Sequence, residues 1–158
     1  MMESRIARIG LALAGCRYCH GLGRRIFGSG QIGGTCDCAY RRVFRDCNAR
    51  YFELRMRGEW RPVVKMTAHG MSVGIVPVEW MADFELTARR VLRVRPVEWA
   101  VFWHHHLGRV AWPECGRLVG LDRGEFFHAV YRVETMVGRA CMEARPYSVW
   151  PREYFAAA

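Results

Sequence analysis

The sequence predicts a mainly α-helical fold in which a small cysteine-rich metal module precedes a helical domain. Three observations carry that expectation. Apolar residues recur at helical spacing through 39–57, 78–95, 97–107 and 123–141. Five of the seven cysteines crowd into the first third of the chain. Glycine and proline punctuate the intervals between the periodic stretches, where helices start and stop.

The chain has 158 residues, 51% of them hydrophobic and 13% aromatic, enough to build a core. The expected organisation is a zinc-binding module with a basic helix over 1–57, a linker over 58–77, a helical domain over 78–144 and an aromatic tail over 145–158. No apolar run reaches the length of a membrane span. The opening MMESRIARIGLALAG has the flavour of a signal peptide, but Arg8 interrupts its apolar stretch. A reducing cytoplasm is therefore the expected location, with no membrane partner.

The formal charge of +9 is carried by 23 arginines and a single lysine, Lys65. Ten of those arginines against four acids lie within 16–61, so the basic half is the cysteine-rich half. Arginine suits phosphate because its planar guanidinium makes paired hydrogen bonds. A GC-rich genome that favours arginine codons is the bland explanation, and the two are compatible.

Cys16-x2-Cys19-x-Gly21-x-Gly23 is followed by Cys36-Asp37-Cys38, with sixteen residues between Cys19 and Cys36. Each pair delivers two thiolates from one tight turn, and the glycine-rich loop between them brings the pairs together, as a tetrahedral zinc site requires. The fourth ligand is open among Cys38, Cys47 and His20. A helix starting near Ala39 would put Cys47 roughly 12–14 Å from Cys38, too far to share an ion. The expected ligands are thus Cys16, Cys19, Cys36 and Cys38. With four protein ligands the zinc is expected to be structural, not catalytic.

The run 39–57 reads as a helix with Tyr40, Val43, Phe44, Cys47, Tyr51 and Leu54 on one face. Arg41, Arg42 and Arg45 lie on the remainder and are expected along a nucleic-acid backbone. Residues 58–77 lack helical period and read as a linker with room for a short strand or hairpin. From Pro77, Trp80, Phe84, Ala88, Val91 and Leu92 trace one helical face. Pro96 opens the next helix, with Ala100, Phe102, Trp103 and Leu107 expected in the core and Gly108 as its stop. Successive helical residues point about 100° apart, so His104, His105 and His106 do not converge on one ion. They read as a polar helix end. Cys115 and Cys141 read as core thiols.

A short helix over Trp112–Val119 stops at Gly120, and Asp122 with Glu125 has capping-box spacing. A longer helix follows. Phe126, Ala129, Val130, Val133, Met136, Val137 and Ala140 make its apolar face, while Arg123, Phe127, His128, Tyr131 and Arg132 lie opposite. That layout is a helix-turn-helix.

The same stretch resembles the helix-turn-helix in the fourth region of bacterial sigma factors. The likeness rests on Trp112, Glu114, Gly120, Leu121, Asp122, Gly124, Phe126, Arg132 and Met136, about a fifth of the chain. Phe127 and His128 depart from it, standing where that family has small or basic residues, so no promoter-reading arginine carries over. A cysteine-rich module ahead of such a domain, with a Tyr/Phe-rich tail, is similar to bacteriophage and prophage regulators, late-gene antiterminators among them. The Cys16–Gly23 spacing also resembles one repeat of J-domain chaperones, but no second repeat and no J-domain signature accompany it.

The function expected is sequence-specific binding of double-stranded DNA by a transcription regulator. Arg123, Phe127, His128 and Arg132 would stand near base edges and Arg117 near the phosphate backbone. RNA polymerase is the alternative partner, through antitermination, and RNA binding by the zinc module a further one. No small-molecule substrate and no enzymatic activity are expected, since no deaminase, metalloprotease or phosphate-loop pattern is present.

Overall fold

The computed structural model describes residues 10–58, 64–67, 70–73, 77–143 and 149. A hairpin of β1 (Arg24–Ile26) and β2 (Ile32–Thr35) leads into α1 (Asp37–Arg57). A second antiparallel hairpin, β3 (Val64–Thr67) and β4 (Gly70–Val73), lies within the expected linker. Then come α2 (Pro77–Leu92), α3 (Pro96–Val101) with a π-helical continuation over Phe102–Leu107, α4 (Trp112–Val119) and α5 (Arg123–Glu143). The tail and the first nine residues lie outside the described residues. The exception is Val149, which is buried and whose carbonyl accepts the indole N–H of Trp80 at 3.0 Å.

The apolar faces on both sides of 58–77 share one core. Phe44 of α1, Phe84 of α2 and Phe102 of α3 meet with ring centroids 6.0–6.4 Å apart. Ala129, Val133 and Val137 of α5 belong to the same cluster. So α1, expected to belong with the cysteine module, packs chiefly on α5. Its apolar stripe, with six buried residues, is too wide for the small module to cover.

The α1–α5 crossing is close because of Gly138. A Cβ there would stand 1.9 Å from the Tyr40 carbonyl oxygen and 3.1 Å from the Phe44 nitrogen. Polar ties flank the contact: the Tyr40 hydroxyl donates to Glu143 Oε1 at 2.7 Å, and Arg41 Nε donates to Glu134 Oε2 at 2.7 Å. The Tyr51 hydroxyl donates to Glu85, joining α1 to α2.

The third helix departs from expectation. Over Phe102–Leu107 it widens to a π-helix, closed by the Gly108 N–H donating to the Trp103 carbonyl at 2.9 Å. A Cβ at Gly108 would sit 2.6 Å from the His104 carbonyl oxygen, so glycine is required. The extra residue in the turn shifts the side-chain register. Trp103, expected in the core, is 48% exposed, and His106, expected at a polar helix end, is buried.

Gly138→Ala is expected to destabilise the chain by about 3 kcal/mol or more, because the obstructing atoms are backbone and cannot rotate away. Urea unfolding measures it, and a loss below about 1 kcal/mol would show that the crossing is not tight.

Candidate metal centre and nucleic-acid interface

Cys16 and Cys19 project from a tight turn. In it the Cys16 N–H donates to the Leu13 carbonyl at 3.0 Å and the His20 N–H to the Cys16 carbonyl at 2.8 Å. His20, Gly21 and Gly23 all have positive φ, which the glycines adopt freely. Cys36 caps α1, and Cys38 lies in its first turn. The Cys36 N–H donates to the Gly23 carbonyl at 2.8 Å, so the β1–β2 hairpin closes the second cysteine pair onto the first.

The four Sγ atoms all lie within 4.8 Å of one another, with Cys16–Cys36 at 3.8 Å and Cys19–Cys38 at 3.5 Å. A tetrahedral ion with metal–sulfur bonds of about 2.3 Å needs sulfurs about 3.8 Å apart. The arrangement fits a thiophilic dication. His20 and Cys47 are not part of it. Cys47 is buried in the core beside Cys141; that neighbouring thiol and burial push its pKa up, so it stays protonated.

The thiols' electrostatics suit a shared cation. Burial opposes ionisation of Cys16, but backbone N–H groups of Tyr18 and Cys19, together with hydrogen bonds from the Cys19 and Cys36 thiols, outweigh it and bring its pKa down to about 7. Burial and neighbouring sulfurs push Cys36 up to about 11, and Cys38 upward as well. Thiolates this close repel one another unless a cation lies between them. The N-terminal end of α1, with its partial positive charge, favours the two thiolates it carries.

On α5, Arg123, Phe127, His128, Tyr131 and Arg132 are exposed. Arg123, Gly124, Phe127, His128 and Tyr131 line one open surface hollow of about 430 Å³. The capping box that starts the helix is formed: the Glu125 N–H donates to Asp122 Oδ1 at 2.8 Å, and the Asp122 N–H to Glu125 Oε2 at 3.0 Å. Gly120 takes the left-handed conformation, φ 74°, that turns α4 into this start. Phe127 leans on Trp112, centroids 5.9 Å apart, and the Arg123 guanidinium stands 5.9 Å from the same indole. Arg117 is exposed on α4 and donates to its own helix at the Pro113 carbonyl, 3.3 Å.

The other arginines expected at a nucleic acid carry carboxylate partners. Arg132 Nε donates to Glu98 Oε1 at 2.7 Å, which ties α5 to α3. Arg41 and Arg45 share Glu134, at 2.7 and 3.4 Å, and the Arg41 guanidinium lies 4.0 Å over the Tyr131 ring. Arg42 pairs with Asp46 at 3.1 Å on its own helix. Arg41 is thus part of the α1–α5 contact, whereas Arg42 and Arg45 remain mostly open to solvent. Sequence reasoning missed Glu98 and Glu134, both buried. Glu134 lies on the line Val130–Glu134–Gly138 at i, i+4, so the signal was a carboxylate inside an apolar stripe.

No helix among the described residues is long and apolar enough to cross a membrane. No family model, no curated protein and no solved structure matches the chain.

Cys36→Ser is expected to lower bound divalent metal from about one ion per chain towards none, whereas Cys47→Ser leaves it in place. Elemental analysis of the purified proteins distinguishes them; equal metal content in both would remove the four-thiolate site. At Glu98, burial opposes ionisation but the Arg132 bond prevails and holds the carboxyl below the ordinary glutamate range. A depressed folded-state value means that the pair stabilises above the unfolded glutamate pKa and loses that effect as pH falls through the folded value. Glu98→Gln should therefore flatten the acid limb of the stability–pH curve and cost about 1–2 kcal/mol at neutral pH. An unchanged acid limb would show that the pair adds nothing.

Proposed function

We propose that this chain is a DNA-binding transcription regulator of the bacteriophage or prophage kind, acting in the cytoplasm, with a structural zinc ion at Cys16, Cys19, Cys36 and Cys38. Zinc is the dication that four thiolates in a closed tetrahedron suit best, and such a site leaves no position for a substrate. Helix α5 would enter the major groove by its N-terminal half, with α4 across the backbone.

One observation carries the reading: Arg123, Phe127, His128 and Tyr131 form an outward row at the start of a capped helix that follows a glycine turn. A guanidinium there suits guanine edges, and a phenyl ring suits thymine methyls. Arg117, Arg42 and Arg45 supply solvent-exposed cations for phosphates. Arg132, held by Glu98, acts mainly as the strut that sets the angle of α5. Docking on RNA polymerase is the second reading. It is favoured by the exposed apolar side chains Leu118 and Phe127 on the same helix pair.

Selection of bound sequences from random duplexes by the purified zinc-loaded protein should yield a defined motif. Arg123→Ala should then cost about 1–3 kcal/mol on that motif and less on random DNA. Equal loss on both would sink base reading. Absence of any motif, with polymerase capture that survives high salt and nuclease, would transfer the helix pair to the second reading.

A further inference from the structure

A second site lies where α1 meets the π-helical turn. Asn48, His105, His106, Arg109, Val110 and Ala111 line a cavity of about 270 Å³. Two of its polar atoms, Asn48 Oδ1 and His106 Nε2, are buried with no hydrogen-bond partner among the described residues. Leaving such groups unpaired costs roughly 1–3 kcal/mol each, so a polar molecule that meets both of them in the cavity is favoured by that much. His106 is 7% exposed. Its ring packs on Phe44 at 4.7 Å.

The walls are built at a structural cost. Arg109 has a positive φ of 58°, a strained conformation for a residue with a side chain. Its guanidinium is laid over the Phe52 ring at 3.6 Å. The π-turn that delivers His105 and His106 is itself a distortion of the kind that gathers at binding sites. His105 Nδ1 lies 2.8 Å from the Val110 carbonyl, which can only accept, so Nδ1 carries the proton. In the neutral ring this leaves Nε2 as an acceptor.

The charge selects the ligand. Arg109 makes no ion pair among the described residues, and no acidic side chain lines the cavity. Burial, with the nearby His105 and Arg109, keeps His106 neutral, its pKa pushed down to about 3. A cation is therefore unwelcome and an anion favoured. An anionic oxygen would take the Arg109 guanidinium and, with the neutral ring in its Nε2–H tautomer, the N–H of His106, whereas Asn48 Oδ1 needs a donor. We infer that this cavity binds a small carboxylate that also carries a hydroxyl group, the carboxylate towards Arg109 and His106 and the hydroxyl donating to Asn48. The volume suits a molecule of a few carbons. The site does not depend on what α5 contacts, although Ala111 caps α4 and His105 packs on Phe126 of α5 at 5.1 Å.

Calorimetric titration of the full chain, without DNA, tests the inference with glycolate and lactate against acetate. Saturable binding of a hydroxycarboxylate, with acetate about tenfold weaker, is the expected result, since one hydrogen bond separates the two. Asn48→Ala should bring glycolate down to the level of acetate, and Arg109→Gln should weaken both. Equal binding of glycolate and acetate by the unaltered chain would overturn the assignment of the hydroxyl. No saturable binding of glycolate or lactate would overturn the site.

Discussion

The close crossing of α1 and α5 is the constraint on which the architecture depends. Gly138 is the point of contact, and the Tyr40 carbonyl occupies the space that any side chain would need. A glycine inside a helix costs about 1 kcal/mol of intrinsic helix propensity. Here it is offset by the packing of Val43, Phe44, Val133 and Val137 that the short interaxial distance permits. The hydrogen bond from Tyr40 to Glu143 and the ion pair from Arg41 to Glu134 fix the rotation of the two helices about that point. Because α2 and α3 fill in around the same phenylalanine cluster, the crossing sets their places too.

The cysteine cluster is mechanically coupled to this core. Cys36 and Cys38 open α1, and four residues after Cys36 the chain reaches Tyr40 at the crossing. A metal ion held by the cluster would fix the start of the helix whose next turns bury against α5. The hairpin amide of Cys36 on the Gly23 carbonyl completes that linkage from the other side. Metal ligation and helix packing would then report on one another: binding free energy at the thiolates is partly folding free energy of α1.

The buried carboxylates redistribute the positive charge. Glu134 draws in Arg41 and Arg45, and Glu98 draws in Arg132, each pair joining two helices. The outer surface of α5 is left with Arg123, Phe127, His128 and Tyr131, an aromatic-rich surface with a guanidinium at its edge that makes no ion pair among the described residues. At the end of α3, the π-turn widens the helix where an imidazole nitrogen and an amide oxygen, both without partners among the described residues, share one cavity. The two regions use arginine oppositely, as a strut in one and as a source of potential in the other.

What the sequence determined by itself was whatever is local. Cysteine spacing selected the four clustered thiols and left out Cys47, because the rise of a helix is fixed. Gly120, Asp122 and Glu125 marked the α4–α5 turn and its cap, because those signals act within four residues. Helical period located each helix and the outward row on α5. Tertiary structure decided the rest. Only the crossing could show that α1 shares a core with α5, since an apolar stripe does not name its partner. Only packing could set the partners of Arg41 and Arg132, since their carboxylates lie 93 and 34 residues away. The buried position of His106 was likewise beyond reach, because one added residue in a π-turn breaks the 3.6 period from which facing is read.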